Sequence, residues 1–283
     1  EELVMSLKSY LGPKPNTFDF QTNIHQKLIV LEEPIISNQD INKIKMIQNH
    51  TKGLFKSYVL GICYAKEKDE FFLEKAIRKI CKEAENVILQ KGINILILSD
   101  RGVDKNHFGI PVLLATSAIH HHLIKKGLRT KVGLVIETGE ARRVHDVCLL
   151  AGYGAEGVNP YLGFSTISNL IKTNNYEISE KEAHKKYIKS ICKGILKVMS
   201  KMGISTYQSY CGAQVFDSVG LSGKVVEKYF RGTANKIEGV SLNEIETEMV
   251  KRHSSAFNEN IAEYKTLDVG GDLAYRVSGE EHV

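Results

Sequence analysis

Between Lys56 and the Phe216 region the chain alternates short apolar runs with longer amphipathic stretches, and this alternation restricts the fold more than any other feature. Ser57 to Tyr64 (SYVLGICY) reads as a strand, closed by a charged stretch that begins at Lys66. Phe71 to Gln90 sets Leu73, Ile77, Ile80, Ala84, Val87 and Ile88 mostly three and four residues apart, which puts them on one helical face. Gly92 follows, a residue suited to the left-handed geometry that ends helices. Ile93 to Ser99 (INILILS) is unbroken apolar sequence of strand length, as expected of a strand covered on both faces. Pro111 to Lys126 reads as a helix with proline in its first turn, ended by Gly127, and Lys131 to Thr138 (KVGLVIET) as a second buried strand. Further along, Ala141 to Leu150 reads as a helix, Ala155 to Tyr161 as a weaker strand and Leu162 to Lys172 as a helix. Glu180 to Met202 reads as a long basic helix and Ile204 to Tyr210 (ISTYQSY) as a last strand.

Strands separated by helices of ten or more residues pair in parallel, because only a long crossover returns the chain to the same end of a sheet. The expected fold is therefore α/β, a mostly parallel sheet with alternating helices. Periodicity leaves an open doubly wound sheet and an incomplete β/α barrel equally available. The flanks differ from this core. Residues 1–55 form a lead-in without the rhythm, although Asn38 to Met46 has a capped helical start. Residues 56–220 carry the β/α core, and 221–283 are read as C-terminal helices and an extended arm. In that last part Ser241 and Glu244 have the spacing of a capping box, and Asp268 to His282 is Gly-rich and polar.

Composition excludes several function classes. The 38 basic and 33 acidic residues are spread along the chain, so the net charge of +5 does not argue for nucleic acid, which needs clustered charge. No apolar run reaches membrane-spanning length, and the first residues lack the pattern of a signal peptide. The sequence starts at Glu1 without an initiator Met, so an excised or processed piece of a longer chain is expected. Cys63, Cys81, Cys148, Cys192 and Cys211 are odd in number and contain no CxxC pair, which favours reduced, mostly buried thiols in a reducing compartment.

Several positions invite a chemical reading. Asp100 and Arg101 follow the strongest strand, Glu137 and Thr138 end the next, and Asn159 and Tyr161 end the weaker one. In a parallel sheet all of these gather at the carboxyl edge, where α/β active sites form. They compose either a polar ring around a pocket or strand-end caps and ion pairs between neighbours. His120, His121 and His122 are consecutive on a predicted helix, where neighbours diverge by about 100° and cannot converge on one metal. His145 and Asp146 meet the same objection. Gly152, Gly154 and Gly157 spell GxGxxG in GYGAEG, but a helix precedes and a strand follows. A dinucleotide fingerprint needs the reverse order, so these glycines read as a helix-to-strand turn. Cys211 (SYCGAQ) is a nucleophile if a base and positive charge lower its pKa, and otherwise a structural thiol. Lys201 is either an anion contact or a solvated side chain. No nucleophile, base and stabiliser come together from these letters.

Longer strings carry a resemblance. EELVMSLKSYLGPKPN, LILSDRG, IPVLLATSAIHHHLI, GLVIETGEARRVHD, VNPYL, KGILKVMSKMGISTYQSYCGAQVFDSVGL and YFRGTANKIEGVSL resemble the large (alpha) subunit of glutamate synthase, in unbroken order from about residue 1 to 282. The resembling part is the central domain. In that family it lies between an N-terminal glutamine amidotransferase and an FMN-binding synthase barrel, with a C-terminal β-helix beyond. The resemblance implies a scaffolding role and a fold similar to a β/α barrel without a cofactor. It assigns no catalytic, cofactor-binding or metal residue to this segment. The amidotransferase cysteine, the iron-sulfur cysteines and the flavin segment belong to regions outside it. The parent enzyme is expected to make glutamate from glutamine and 2-oxoglutarate, with FMN, an iron-sulfur cluster and NAD(P)H or ferredoxin as electron donor. Expected partners are the flanking domains and a small electron-transfer subunit or ferredoxin, in cytoplasm or plastid, without nucleic acid or membrane. A stand-alone barrel enzyme acting on a small anionic substrate is the alternative. One departure from the family pattern is Cys211, where the family usually has Arg.

Overall fold

The computed structural model describes residues 4–16, 18, 27–65 and 72–257. The elements run β1 (Ser9–Leu11), β2 (Ile29–Leu31), α1 (Asn38–Lys45), α2 (Ile47–His50), β3 (Ser57–Gly61), β4 (Cys63–Ala65), α3 (Leu73–Lys91), β5 (Ile95–Ser99) and β6 (His107–Gly109). They continue with α4 (Val112–Lys125), β7 (Gly133–Glu137), α5 (Val144–Gly152), β8 (Gly157–Asn159), α6 (Tyr161–Asn174), α7 (Glu180–Lys201) and α8 (Tyr207–Tyr210). The last four are β9 (Asp217–Leu221), α9 (Gly223–Tyr229), β10 (Ala234–Val240) and α10 (Leu242–Ala256).

The central sheet has four parallel strands in the order β3-β5-β7-β8. Because sequential strands are spatial neighbours, right-handed crossovers place every connecting helix on one side. The side chains agree with this. Leu96 and Leu98 of β5 and Leu134 and Ile136 of β7 share a core with α3, α4, α5 and α7. Their alternates Ile95, Ile97 and Val135 point the other way, into a second core with Leu11, Ile36, Ile41, Ile44 and Phe55. The sheet is thus wound in one direction, as in an arc of a β/α barrel, and it is not doubly wound. It does not close. The lead-in residues occupy the face that would line a barrel, which explains why every residue of β5 and β7 is buried. The same segment covers the β8 edge: Ile36 N donates to Val158 O at 2.8 Å and Val158 N to Pro34 O at 2.8 Å.

Local signals act as read. Gly92 ends α3 at φ 63°, and Gly127 at φ 65° follows α4. Ser37 caps α1 by accepting from Asp40 N at 3.1 Å, and Ser241 N donates to Glu244 at the start of α10. Two expectations are corrected by the structure. Ile204 to Tyr210 is not a strand; only Thr206 bridges to Ser6, and Tyr207–Tyr210 turns into α8. The two tyrosines three residues apart are both fully buried, which a helical turn permits, whereas a strand would send them to opposite faces. Ser57 to Tyr64 is also two elements: β4 leaves the main sheet to pair antiparallel with β6. A further parallel pair, β9 with β10, lies outside the main sheet. The charged stretch from Lys66, the first residue of the helix expected from Phe71, and the arm from Asp268 to His282 lie outside the described residues.

Candidate functional site

The carboxyl edge of the sheet brings together the strand-end residues. Glu137 is buried at the end of β7, and its Oε1 accepts from Lys45 Nζ at 2.7 Å and from Arg101 Nε at 2.6 Å. Its Oε2 accepts from Ser99 Oγ at 2.7 Å. Burial opposes its charge, but the Lys45, Ser99 and Arg101 bonds prevail and hold its pKa below the usual carboxylate value. Asp100, also buried, accepts from Thr138 Oγ1 at 2.5 Å and from Gly139 N at 2.9 Å. Thr138 Oγ1 in turn accepts from Glu140 N at 3.0 Å, and Glu140 caps α4 by accepting from Val112 N at 3.0 Å. The Arg101 guanidinium lies 4.0 Å from the centre of the Tyr161 ring. Burial first, then its hydrogen bond to Asp100 and that carboxylate's charge, push the Tyr161 pKa up.

At the far end of this row Asn159 Nδ2 donates to Ile36 O at 2.8 Å and Asn38 Oδ1 at 3.0 Å. These residues share one edge, as strand direction requires: Arg101 bonds Glu137 and Thr138 bonds Asp100, whereas Asn159 bonds the lead-in segment. Lys45, 92 residues before Glu137, is delivered by α1 packing across the second face of the sheet and has no local signal in the sequence.

A second buried charge lies at the start of β8. Glu156 Oε1 stands 3.4 Å from Arg129 and 3.5 Å from Lys14, while its Oε2 is buried without a partner among the described residues. Arg129 also donates to Val132 O and Gly154 O, each at 2.8 Å, and to His120 Nδ1 at 3.0 Å. Burial raises the Glu156 pKa, against the attraction of Arg129 and Lys14. Burial together with Arg129 and His121 lowers His120 to about 3, so its imidazole is neutral and accepts the Arg129 bond. None of this cluster follows from spacing, because its members come from four separate segments.

The three histidines diverge as helix geometry requires. His120 meets Arg129, His121 lies 2.8 Å from Gln214 Nε2, and His122 lies 2.9 Å from Glu85. Asp146 caps α5 by accepting from Arg142 N and Arg143 N, and His145 packs against Phe216. Among the described residues no group of three His, Cys, Asp or Glu side chains is arranged to hold a metal. The GYGAEG glycines form the expected turn from α5 into β8. A side chain at Gly152 would meet Phe216 at 2.4 Å and one at Gly157 would meet Ile36 at 2.6 Å. Gly154 adopts φ +106° and faces His120. Close packing accounts for all three glycines.

The cysteines are free thiols. Burial raises Cys63 and Cys148 to about 11 and Cys81 and Cys192 to about 12. Cys211 donates to Ala155 O at 3.3 Å, and burial followed by the Glu156 charge drives its pKa upward. A raised pKa is the opposite of what activates a thiol nucleophile. Lys201 is exposed on the last turn of α7.

Fold and site together define a singly wound α/β domain whose strand-end Glu137 is paired with its own Lys45 and Arg101. The chain belongs to the glutamate synthase central domain family, whose model matches residues 1–222. It is 41% identical over 283 residues to the glutamate synthase (NADPH) large chain of Bacillus subtilis (strain 168), covering 100% of this chain and 18% of that one. It is 36% identical over 287 residues to glutamate synthase (NADH) of Schizosaccharomyces pombe, covering 100% of this chain and 13% of the relative. With the ferredoxin-dependent glutamate synthase of Antithamnion sp. the identity is 40% over 297 residues, covering 100% and 19%. The chain thus spans less than a fifth of the length of these relatives. Among solved structures, a flavocytochrome b2 with benzoylformate aligns at a TM-score of 0.39 and 18% identity, over 70% of this chain and 46% of that one.

Proposed function

We propose that this domain is a noncatalytic linker within a glutamate synthase, holding a glutamine amidotransferase domain and an FMN-binding synthase domain in fixed relation. In such an enzyme glutamine supplies ammonia, the ammonia crosses an internal tunnel to 2-oxoglutarate, and reduction by flavin gives glutamate. An iron-sulfur cluster and NAD(P)H or ferredoxin would serve as electron carriers from regions outside this segment, through a small partner subunit or ferredoxin. Cytoplasm and plastid both suit reduced thiols.

The observation that carries the reading is the internal consumption of Glu137. It stands where β/α enzymes place a general base, yet three donor groups already bind it and hold its pKa low. A base saturated by hydrogen bonds to its charged form has little tendency to take a proton. Apolar surface supports contact with neighbouring domains: Val219 and Ile237, paired across β9 and β10, are 70% and 59% exposed.

The test is a flavin titration of the 283-residue protein followed by fluorescence quenching, with glutamine- and 2-oxoglutarate-dependent turnover assayed alongside. The expected result is neither binding nor turnover. Stoichiometric flavin binding would overturn the linker reading in favour of a stand-alone enzyme acting on a small anionic substrate.

A further inference from the structure

Helix α7 carries lysine at every fourth position along its length: Lys181, Lys185, Lys189, Lys193, Lys197 and Lys201. All six are exposed, and among the described residues none is within ion-pair distance of a carboxylate. Among the described residues, the one ion pair formed by a lysine of this helix is Lys186 with Glu182. At about 1.5 Å rise per residue the row extends ~30 Å. A four-residue step advances about 40° around the helix, so the middle four lysines lie within ~120° and address one partner. Six unneutralised charges at such spacing repel one another, a cost that a solvated surface helix avoids by interleaving acids.

Beside the row runs a groove of about 590 Å³, lined by Leu7, Ile188, Cys192 and Leu196 with Lys185, Lys189 and Lys193. Glu33 is its one acidic lining residue. An apolar floor edged by lysines suits a protein surface that presents carboxylates around an apolar side chain. Nucleic acid is disfavoured, because stacking platforms are missing from this lining and Tyr187 is engaged with the Arg142 carbonyl and Phe164.

Position narrows the source of the partner. Leu7 lines the groove, and Ser6 is held beside α7 by Ser6 N to Ser205 O at 2.9 Å and Tyr207 N to Ser6 O at 2.8 Å. The incoming chain therefore arrives at this face. The other end of the described chain lies elsewhere, with His253 of α10 bonded to the Asp104 carbonyl beyond β5. A domain that enters the fold through Ser6 and Leu7 is tethered next to the lysine row, at high effective concentration.

We propose that the Lys185–Lys197 face of α7, with its groove, docks a carboxylate-bearing surface of the domain that precedes this one in the longer chain. The inference rests on the linker reading and adds which face makes the contact and by what chemistry. The experiment acetylates lysines in the full-length synthase and in the 283-residue protein at 0.1 M salt, then couples lysine to carboxylate in the full-length enzyme with a zero-length carbodiimide. Peptide mapping should show Lys185, Lys189 and Lys193 acetylated at least ~5-fold more slowly in the full-length enzyme. Crosslinks should join them to Asp or Glu before residue 1, and fade at 1 M salt as the screening length falls from ~10 Å to ~3 Å. A full-length enzyme with all three replaced by Gln, a change neutral for helix propensity, should lose those crosslinks while remaining folded. Equal acetylation in both proteins, or crosslinks only to regions after residue 283, would overturn the proposal. So would retention of the 283-residue protein on phosphatidylserine vesicles, or a shift of mixed-sequence RNA at 0.15 M salt, that the Gln variant abolishes. These outcomes are separable from failure of the linker reading, which the flavin titration decides independently.

Discussion

Replacing Arg129 by Met tests whether the Glu156 cluster fastens the lead-in and α4 to the sheet. The change keeps the apolar stem and deletes donors to Glu156, Val132 O, Gly154 O and His120 Nδ1. Glu156 is 1% exposed and would keep only Lys14, 3.5 Å away and itself partly solvated. Removing one partner of a buried ion pair costs about 3–5 kcal/mol. At roughly 2–4 °C per kcal/mol for a domain of this size, Tm should fall by about 10 °C.

The pH dependence is a sharper test. Burial already raises the Glu156 carboxyl pKa, and loss of Arg129 raises it further. A carboxyl with a raised folded pKa loses stability as pH climbs from its unfolded to its folded value, and regains it on acidification. The deficit of the Arg129→Met variant should therefore be greatest at neutral pH and narrow as pH falls toward the unfolded carboxyl value. Adding Glu156→Gln should recover much of it at pH 7. Urea unfolding of the parent, both single variants and the double variant measures the coupling. A deficit below about 1 kcal/mol, or one that neither acid nor Glu156→Gln relieves, would refute the electrostatic account.

Three further outcomes follow from the same geometry. Glu137, whose folded pKa is lowered, contributes stability that is present above the unfolded carboxyl value and lost as pH falls through the folded one. Glu137→Gln should thus cost most at pH 7 and little in acid, read by urea midpoints. Glu246 of α10 accepts from Phe72 N at 2.8 Å and Leu73 N at 3.0 Å, capping α3 from a distant part of the chain. Glu246→Ala should cost about 0.5–2 kcal/mol and speed hydrogen exchange at those two amides, and unchanged protection there would count against the cap. With thiol pKa values near 11 and 12 for Cys63, Cys81, Cys148 and Cys192, the native protein should react slowly with a disulfide reagent at pH 8, whereas all five thiols should react in urea.

Sequence by itself determined the parallel β/α order, the helix limits at Gly92 and Ser241, the divergence of His120 to His122 and the turn role of GYGAEG. Each depends on neighbours within a few residues, where spacing and backbone geometry suffice. It also placed Asp100, Glu137 and Asn159 on one edge, since strand direction fixes where strand ends gather. Tertiary structure decided what those residues do there. Lys45 reaches Glu137 across 92 residues of chain, and Glu246 caps α3 across 174. Local spacing carries no record of such pairings. Tertiary packing also overrode the strand pattern of Ile204 to Tyr210, because two tyrosines entering one core gain more as a turn of helix than an isolated strand gains at the sheet margin. The sheet stayed open for a related reason. The lead-in segment, which has no rhythm of its own, supplies the apolar side chains that cover the face a closed barrel would have to fill from its own strands.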